Sequence, residues 1–316
     1  MRGGGHLKRE WITILVLIVI IVVLFPATIL RWKSEQAPTD DIQIRVKMPD
    51  GQIEKLPLEE YLIGVVAAEM PAEFELEALK AQAVAARTYA AKRLSQQITP
   101  DPGFDVDTTV NTQAWISQNQ MREKWGWVKY WRYHGRIEKA VNDTQGQVVI
   151  AEGQYIDAFY FSSAGRKSTE RAEDVWSSSR TYLQNVSSGE QEPNRFVKTY
   201  SFTPSTLYKK LGVSSAVKAF TASDFVILSK TATGRVKSVR VLGKDYTGAQ
   251  LRSWLGLAST DMEVSVKAEE IQIKTYGNGH AVGMSQYGAN DLAKSGQGFA
   301  DILKHFYPGT TLVGLK

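Results

Sequence analysis

Residues 60–94 read EYLIGVVAAEMPAEFELEALKAQAVAARTYAAKRL, and the fold turns on how this stretch is parsed. Leu62, Val65 and Val66 stand at helical spacing, so a first helix is expected over Leu58–Ala68. Pro71 ends it, because the residue before a proline is pushed out of the helical region. A second helix is expected from about Leu76 to Leu94, a run rich in Ala, Leu, Lys and Arg. Ala78, Ala81, Ala83, Ala85 and Ala86 make that helix thin, which suits the centre of a domain. Glu69 sits at the break, behind small and apolar residues. A carboxyl so placed loses solvation and its pKa rises, which prepares a general acid for work near neutral pH. Lys80 and Arg87 lie seven apart on one face of the second helix. If that face points at Glu69, they hold it ionised instead. The local pattern leaves both readings open, along with a third in which Glu69 merely caps or pairs at a helix end.

Before this stretch, IQIRVKMPDGQIEKLP (residues 42–57) alternates around Asp50–Gly51 and reads as a hairpin. Earlier still, Trp11 to Leu30 is twenty residues without a charge. Roughly 20 apolar residues suffice to cross the hydrocarbon layer. Arg2, Lys8 and Arg9 precede it, which puts the N-terminus in the cytoplasm and the rest outside. The alternative is a signal peptide cut near Pro26–Ala27, and the length of the apolar run favours an uncleaved single-pass anchor. Residues 31–41 are then a linker, and 42–316 the folded domain. The chain carries a net charge of +5. Residues 1–33 hold Arg2, Lys8, Arg9, Arg31 and Lys33 against Glu10 alone, so the excess belongs to that segment. The folded part is nearly neutral and lacks the concentrated basic surface that nucleic-acid binding needs. There are no cysteines, which excludes disulfides, thiolate catalysis and zinc–thiolate sites.

Beyond the helix pair, Thr99–Gly103 reads as a loop. Asp105 and Asp107 are expected to be solvated loop acids. Met121–Ile137 carries Trp125, Trp127, Tyr130, Trp131 and Tyr133, expected mostly in the core, with His134 at a helix end. Residues 146–161 read as a hairpin around Glu152–Gly153, followed by a small-residue loop at Ser162–Lys167 that is expected to line a cleft. Thr203–Pro204 starts a helix that Gly212 caps. Residues 222–275 alternate as several antiparallel strands with a short helix at Gly248–Leu255. Helical turns are expected at Asp291–Ser295 and Phe299–Tyr307. Between them and the strands lies YGNGHAVGMSQY (276–287), whose glycines allow close backbone approach and positive φ. It presents His280, Ser285, Gln286 and Tyr287. The fold class expected is α+β: an antiparallel β framework with the Glu69 helix pair against it, and a cleft between that pair and the Gly277–Gly288 loop.

EYLIGVVAAEMP (60–71), EALKAQAVAARTYA (77–90), GNGHAVGMSQYGA (277–289) and ILKHFYPGT (302–310) together resemble the stage II sporulation protein D family, the SpoIID/LytB domain. The resemblance spans about Ile42 to Leu312. It implies a membrane-anchored lytic transglycosylase acting on septal peptidoglycan during engulfment. Such an enzyme cleaves the MurNAc–GlcNAc bond with one catalytic acid and leaves a 1,6-anhydro end. It implies glycan strands already stripped of stem peptides by an amidase, stage II sporulation protein P, with stage II sporulation protein M as a membrane partner. The family's catalytic glutamate falls on Glu69 and its helix cations on Lys80 and Arg87. Those two, with His280, Ser285, Gln286 and Tyr287, are the substrate contacts expected. Some relatives hold zinc with Cys and His in the segment matching Asp107–Gln113. Asp107, Asn111 and Thr112 stand there in this chain, so no metal and no cofactor is expected. The rival reading is a non-catalytic peptidoglycan-binding activator of an amidase, with Glu69 structural.

Overall fold

The computed structural model describes residues 42–96, 103–109, 111–176, 178–213, 219–267 and 269–315. The anchor expected at Trp11–Leu30, the linker after it and most of the Thr99–Gly103 loop lie outside these. Among the described residues no helix is long and apolar enough to cross a membrane. A compact unit begins at Ile42.

The hairpin forms as read. Strands β1 (Gln43–Lys47) and β2 (Ile53–Pro57) pair antiparallel, with Ile44 and Val46 fully buried on one face. The short β3 (Val106–Asp107) joins β1 in parallel. Helix α1 (Leu58–Glu69) follows directly, and α2 (Leu76–Gln96) begins after Pro71 and a turn. Ala78, Ala81, Ala83, Ala85 and Ala86 of α2 are all fully buried. Its small girth lets α1, α3 (Gln118–Asp143) and strand β4 (Gln147–Ala151) all approach it. Burying a Val or Leu side chain contributes roughly 1.5–3 kcal/mol. The core around α2 gathers Leu62, Val65, Val66, Leu79, Val84 and Ile137.

Helix α3 departs from expectation. It opens on a capping box between Ser117 and Gln120 and bends at Gly126, whose φ is 73°. Tyr130 and Tyr133 are buried as expected, but Trp127 and Trp131 are 66% and 63% exposed. His134 is not at a helix end but inside α3, against the Tyr130 ring.

Strand β4 pairs with a two-residue β5 (Gln154–Tyr155), so the expected hairpin is real but short. Its other edge is closed by the C-terminal strand. Next, β6 (Tyr160–Phe161) and helix α4 (Ala172–Trp176) precede a lobe with a core of its own. The lobe comprises β7 (Val197–Phe202), α5 (Pro204–Leu211), β8 (Phe225–Lys230), β9 (Val236–Val241), β10 (Lys244–Thr247), α6 (Gly248–Leu255), β11 (Met262–Val266) and β12 (Ile271–Tyr276). Its two antiparallel sheets run β10-β9-β8 and β11-β12-β7 around Leu207, Val239, Leu251 and Ile273. The α5 caps are those the sequence signals, Thr203 and Gly212; in α6 Thr247 and Gly256 cap the helix, a pair the sequence reading did not name.

After the lobe, β13 (Met284–Ser285) pairs in parallel with β6. Helix α7 (Gln286–Lys294) starts five residues earlier than expected, because the Ser285 hydroxyl accepts the Gly288 N–H and caps it. Helix α8 (Phe299–Phe306) and strand β14 (Thr311–Gly314) complete the chain. The class is α+β, with small antiparallel sheets and two short parallel pairings.

Candidate active site

Glu69 is the last residue of α1 and lines a cleft of ≈ 380 Å³. Tyr89, Asn111, Thr112, Gln113, Phe159, Tyr160, Phe161, Trp176, Arg252 and His280 also line it. Among these lining residues Glu69 is the sole acid.

Each Glu69 oxygen accepts one hydrogen bond. Ala114 N–H donates to Oε1 at 3.2 Å and Gln286 Nε2 to Oε2 at 3.3 Å. Burial raises its pKa above the usual carboxylate value, and these two donors pull it partly back. The negative end of α1 disfavours a carboxylate there as well. Neither Lys80 nor Arg87 figures among these influences.

Two loops bring the partners in. The Asn111–Ala114 segment is held over α1 by Trp115, whose ring lies against Gly64. A Cβ on Gly64 would fall 2.0 Å from the indole nitrogen. Gln113 spans the cleft floor. Its Oε1 accepts from the Tyr61 hydroxyl at 3.1 Å, and its Nε2 donates to the Tyr160 hydroxyl at 3.1 Å. On the other side the glycine loop meets the 162–165 loop: Ser163 and Asn278 exchange main-chain hydrogen bonds at 2.9 and 2.8 Å. A Cβ on Gly277 would lie 2.7 Å from the Ser163 carbonyl, and one on Gly283 would lie 2.1 Å from that of Phe159. Both have φ near 80°. Glycine is required for this close approach.

The expected substrate contacts divide. Gln286 touches Glu69, and its Nε2 also lies 3.5 Å from Gln82 Oε1. His280 lines the cleft, ringed by Phe159, Phe161 and Trp176. Its Nδ1 accepts the Val282 N–H at 3.2 Å. Desolvation, helped by the Arg252 charge, pushes its pKa down to about 4. It is therefore neutral at physiological pH, with its proton on Nε2.

Ser285 is fully buried and is not paired with His280. Its hydroxyl donates to Glu190 Oε1 at 2.7 Å, so a Ser–His nucleophile has no geometry here. Tyr287 stands outside the cleft wall, edge-on to Phe74 and Phe196 and covered by Arg195. Lys80 pairs with Glu77 at 2.9 Å and Asp143 at 3.1 Å. Arg87 is wholly buried: its Nε donates to Glu59 Oε1 at 2.9 Å, and its Nη atoms reach the Val141 and Gln147 carbonyls. The cations of α2 thus tie helices together, and neither is brought to Glu69.

Asp105 is not solvated but buried, in a two-pronged pair with Arg45. Asp107 closes a turn by accepting from Thr109 and Thr112. Among the described residues no group of three His, Asp or Glu could hold a metal ion. Glu73 points away from the cleft wall and accepts from Tyr133, which lowers its pKa. Sequence reasoning missed three residues. Glu190 accepts from Ser163, Ala164 and Ser285 and so joins the two loops. Trp176 is an exposed indole at the cleft edge. Arg252 reaches the cleft from the lobe. Glu190 sits in a polar stretch and Arg252 in a short helix between Leu251 and Trp254, neither with a local signal, and only tertiary contact gives them a role.

The arrangement offers one proton donor of raised pKa, two donors able to hold its conjugate base, and aromatic walls suited to the apolar faces of sugar rings. The family profile described as "Stage II sporulation protein" matches residues 50–150. The chain is 39% identical over 265 residues to stage II sporulation protein D of Bacillus amyloliquefaciens, covering 82% of this chain and 75% of that one. Against stage II sporulation protein D of Bacillus subtilis the identity is 39% over 267 residues, with the same shares. A protein of Bacillus subtilis named amidase enhancer is 30% identical over 303 residues, spanning 79% of this chain and 40% of its own length.

Proposed function

The chain belongs to the stage II sporulation protein D family, and on that premise we propose that it is a lytic transglycosylase of peptidoglycan glycan strands. One observation carries the reading: a single acid of raised pKa in an aromatic-walled cleft. Two-carboxylate glycosidases need a second acid at a set distance, and the residues lining this cleft supply none. With no second carboxylate to activate water, a nucleophile within the substrate suits this site.

In the step proposed, Glu69 gives its proton to the oxygen joining MurNAc C1 to GlcNAc C4. As the C1–O bond breaks, the C6 hydroxyl of the same MurNAc attacks C1 and forms the 1,6-anhydro ring. The hydroxyl proton passes to the Glu69 carboxylate and restores the acid, so no water is consumed. Between the two transfers the Ala114 N–H and Gln286 amide hold the carboxylate. His280 serves as a neutral wall and hydrogen-bonding group, not as a base, since its pKa lies near 4.

The reading extends to place and partners. Trp11–Leu30 anchors the chain in the membrane with the N-terminus in the cytoplasm and the cleft outside, at the septum. Stage II sporulation protein P supplies stripped strands, and stage II sporulation protein M is the membrane partner. Glu69→Gln keeps the shape and removes the proton. Loss of roughly 100-fold or more in anhydro-muropeptide release, with folding retained, is expected for a lost general acid. Unchanged release refutes the proposal, and reducing MurNAc ends by mass spectrometry would indicate a hydrolase.

The second reading, a non-catalytic amidase activator, draws on the relative named amidase enhancer. The exposed Trp127, Val128 and Trp131 on α3 offer it a surface. It predicts that Glu69→Gln stimulates the amidase as well as the native chain does.

A further inference from the structure

Arg252 is a cation that the proposed chemistry does not use. It lies in the last turn of α6 and lines the cleft that also holds Glu69 and His280. Its Nε donates to the Ala258 carbonyl at 3.2 Å. That carbonyl also accepts the Gly279 N–H at 2.9 Å, and the Ala258 N–H donates to the Tyr200 hydroxyl at 3.0 Å. One edge of the guanidinium is thus fastened to the glycine loop.

The other edge meets no acid among the described residues. Arg87, Arg166 and Arg235 each meet a carboxylate, whereas no carboxylate figures among the influences on Arg252, which feels burial and the Tyr200 phenol. Arg252 is half-buried, and a cation drawn partly out of water without a counter-ion carries part of its desolvation cost uncompensated. The fork also matches a carboxylate two-pronged. Arg252 acts on His280 but does not figure among the influences on Glu69. It shares the cleft lining with His280 and Glu69, and its charge acts on the imidazole.

We propose that Arg252 is a carboxylate subsite, and that it takes the lactyl carboxylate of a MurNAc residue that carries no stem peptide. This rests on reading the cleft as a glycan site. The hydroxyl and acetamide groups of a bare strand are neutral, and the lactyl group is its one anion. A stem peptide turns that carboxylate into an amide and removes the charge that Arg252 recognises. The choice between bare and peptide-bearing strands is then made by one charge pair.

The test uses the full chain in detergent with Glu69→Gln, so that binding is read without turnover. Probes are a peptide-free MurNAc–GlcNAc tetrasaccharide and the same sugar with its lactyl carboxyls converted to methylamides. The carboxylate form is expected to bind ~10–100-fold more tightly, as a charged hydrogen-bonded pair implies, and the preference to fall with added salt. Arg252→Gln on that background should erase the preference, with intact folding checked separately by circular dichroism. Arg252→Lys should retain part of it. Equal binding of both sugars with Arg252 present overturns the subsite alone, as does equal weakening of both by Arg252→Gln. Binding of neither sugar overturns the glycan reading of the cleft, and the subsite with it.

Discussion

Glu69 is held by opposed influences, and each can be removed singly. Burial and the C-terminal end of α1 favour the protonated form, while the Gln286 amide and Ala114 N–H favour the carboxylate. Gln286→Ala removes a stabiliser of the charged form, so the Glu69 pKa rises further. The alkaline limb of the pH–kcat/KM profile, where the acid loses its proton, should move to higher pH, and an unmoved or lowered limb would deny Gln286 this part. The same burial has a cost in stability. The folded-state pKa is raised above the unfolded one, so the native state holds the proton more tightly. Stability is therefore full below the unfolded pKa and falls as pH rises through the folded one. Glu69→Gln lacks that loss. Thermal melts should show the variant matching the native chain in acid and exceeding it at neutral pH and above. The sequence offered this direction beside its opposite: Val65 to Ala68 and Pro71 describe an apolar break, but Lys80 and Arg87 could equally have held the acid ionised, and only their pairing elsewhere decides it. The donors were not legible, since Ala114 and Gln286 are 45 and 217 positions away.

Helices α1 and α2 show how one pattern can carry two meanings. Lys80 and Arg87 share a face, as their spacing requires, but α1 and α3 lie against that helix, and the Arg87 guanidinium is taken by Glu59 in the first turn of α1 and by the Val141 carbonyl near the end of α3. Spacing fixes which residues share a face and leaves unsaid what the face meets. Arg87→Ala strands Glu59 in the interior, and breaking a buried pair costs about 3–5 kcal/mol. Chemical denaturation should show that loss, and the stability of Arg87→Ala should match the native chain if the cation serves substrate instead. Gly64 makes the complementary point from the same helix pair. It reads as an ordinary helix interior, where Ala would be the better former. Its place under the Trp115 ring reverses the expectation, because a Cβ would lie 2.0 Å from the indole. Gly64→Ala should lower stability by about 1–3 kcal/mol, as overpacking does. It should also cut turnover, since Trp115 holds the loop that supplies the Ala114 N–H. A variant as stable and active as the native chain would show that the ring is free to move.

At the scale of the whole molecule, the cleft depends on how the lobe is fastened to the helical body. The alternation of residues 222–275 announced the strands, but nothing in it announced the fastening. That is done by the turn between β8 and β9, where Arg235 is buried and reaches the Ala164 and Ser168 carbonyls at 2.9 and 2.7 Å. Glu170 Oε1 accepts from Arg235 at 3.2 Å and from Thr231 at 2.8 Å, and also from Thr233. The Glu170 N–H donates to the Ala281 carbonyl at 2.7 Å, within the glycine loop. One glutamate thus joins lobe, cleft-side loop and glycine loop, and Arg252 enters the cleft only because the lobe is docked. Glu170→Ala leaves Arg235 buried without its counter-ion, at a cost of about 3–5 kcal/mol. The lobe and the helical body have separate apolar cores, so the loss should fall on their junction more than on either interior. Calorimetry of Glu170→Ala should resolve two transitions where the native chain gives one. Turnover should fall although Glu69, Gln286 and Arg252 are themselves untouched by the change. The paired variant Glu170→Gln, which keeps the hydrogen-bond acceptor but not the charge, should recover part of both. A single, unshifted transition would mean that the lobe is carried by its apolar contacts alone, and that the Arg235–Glu170 pair does not set the width of the cleft.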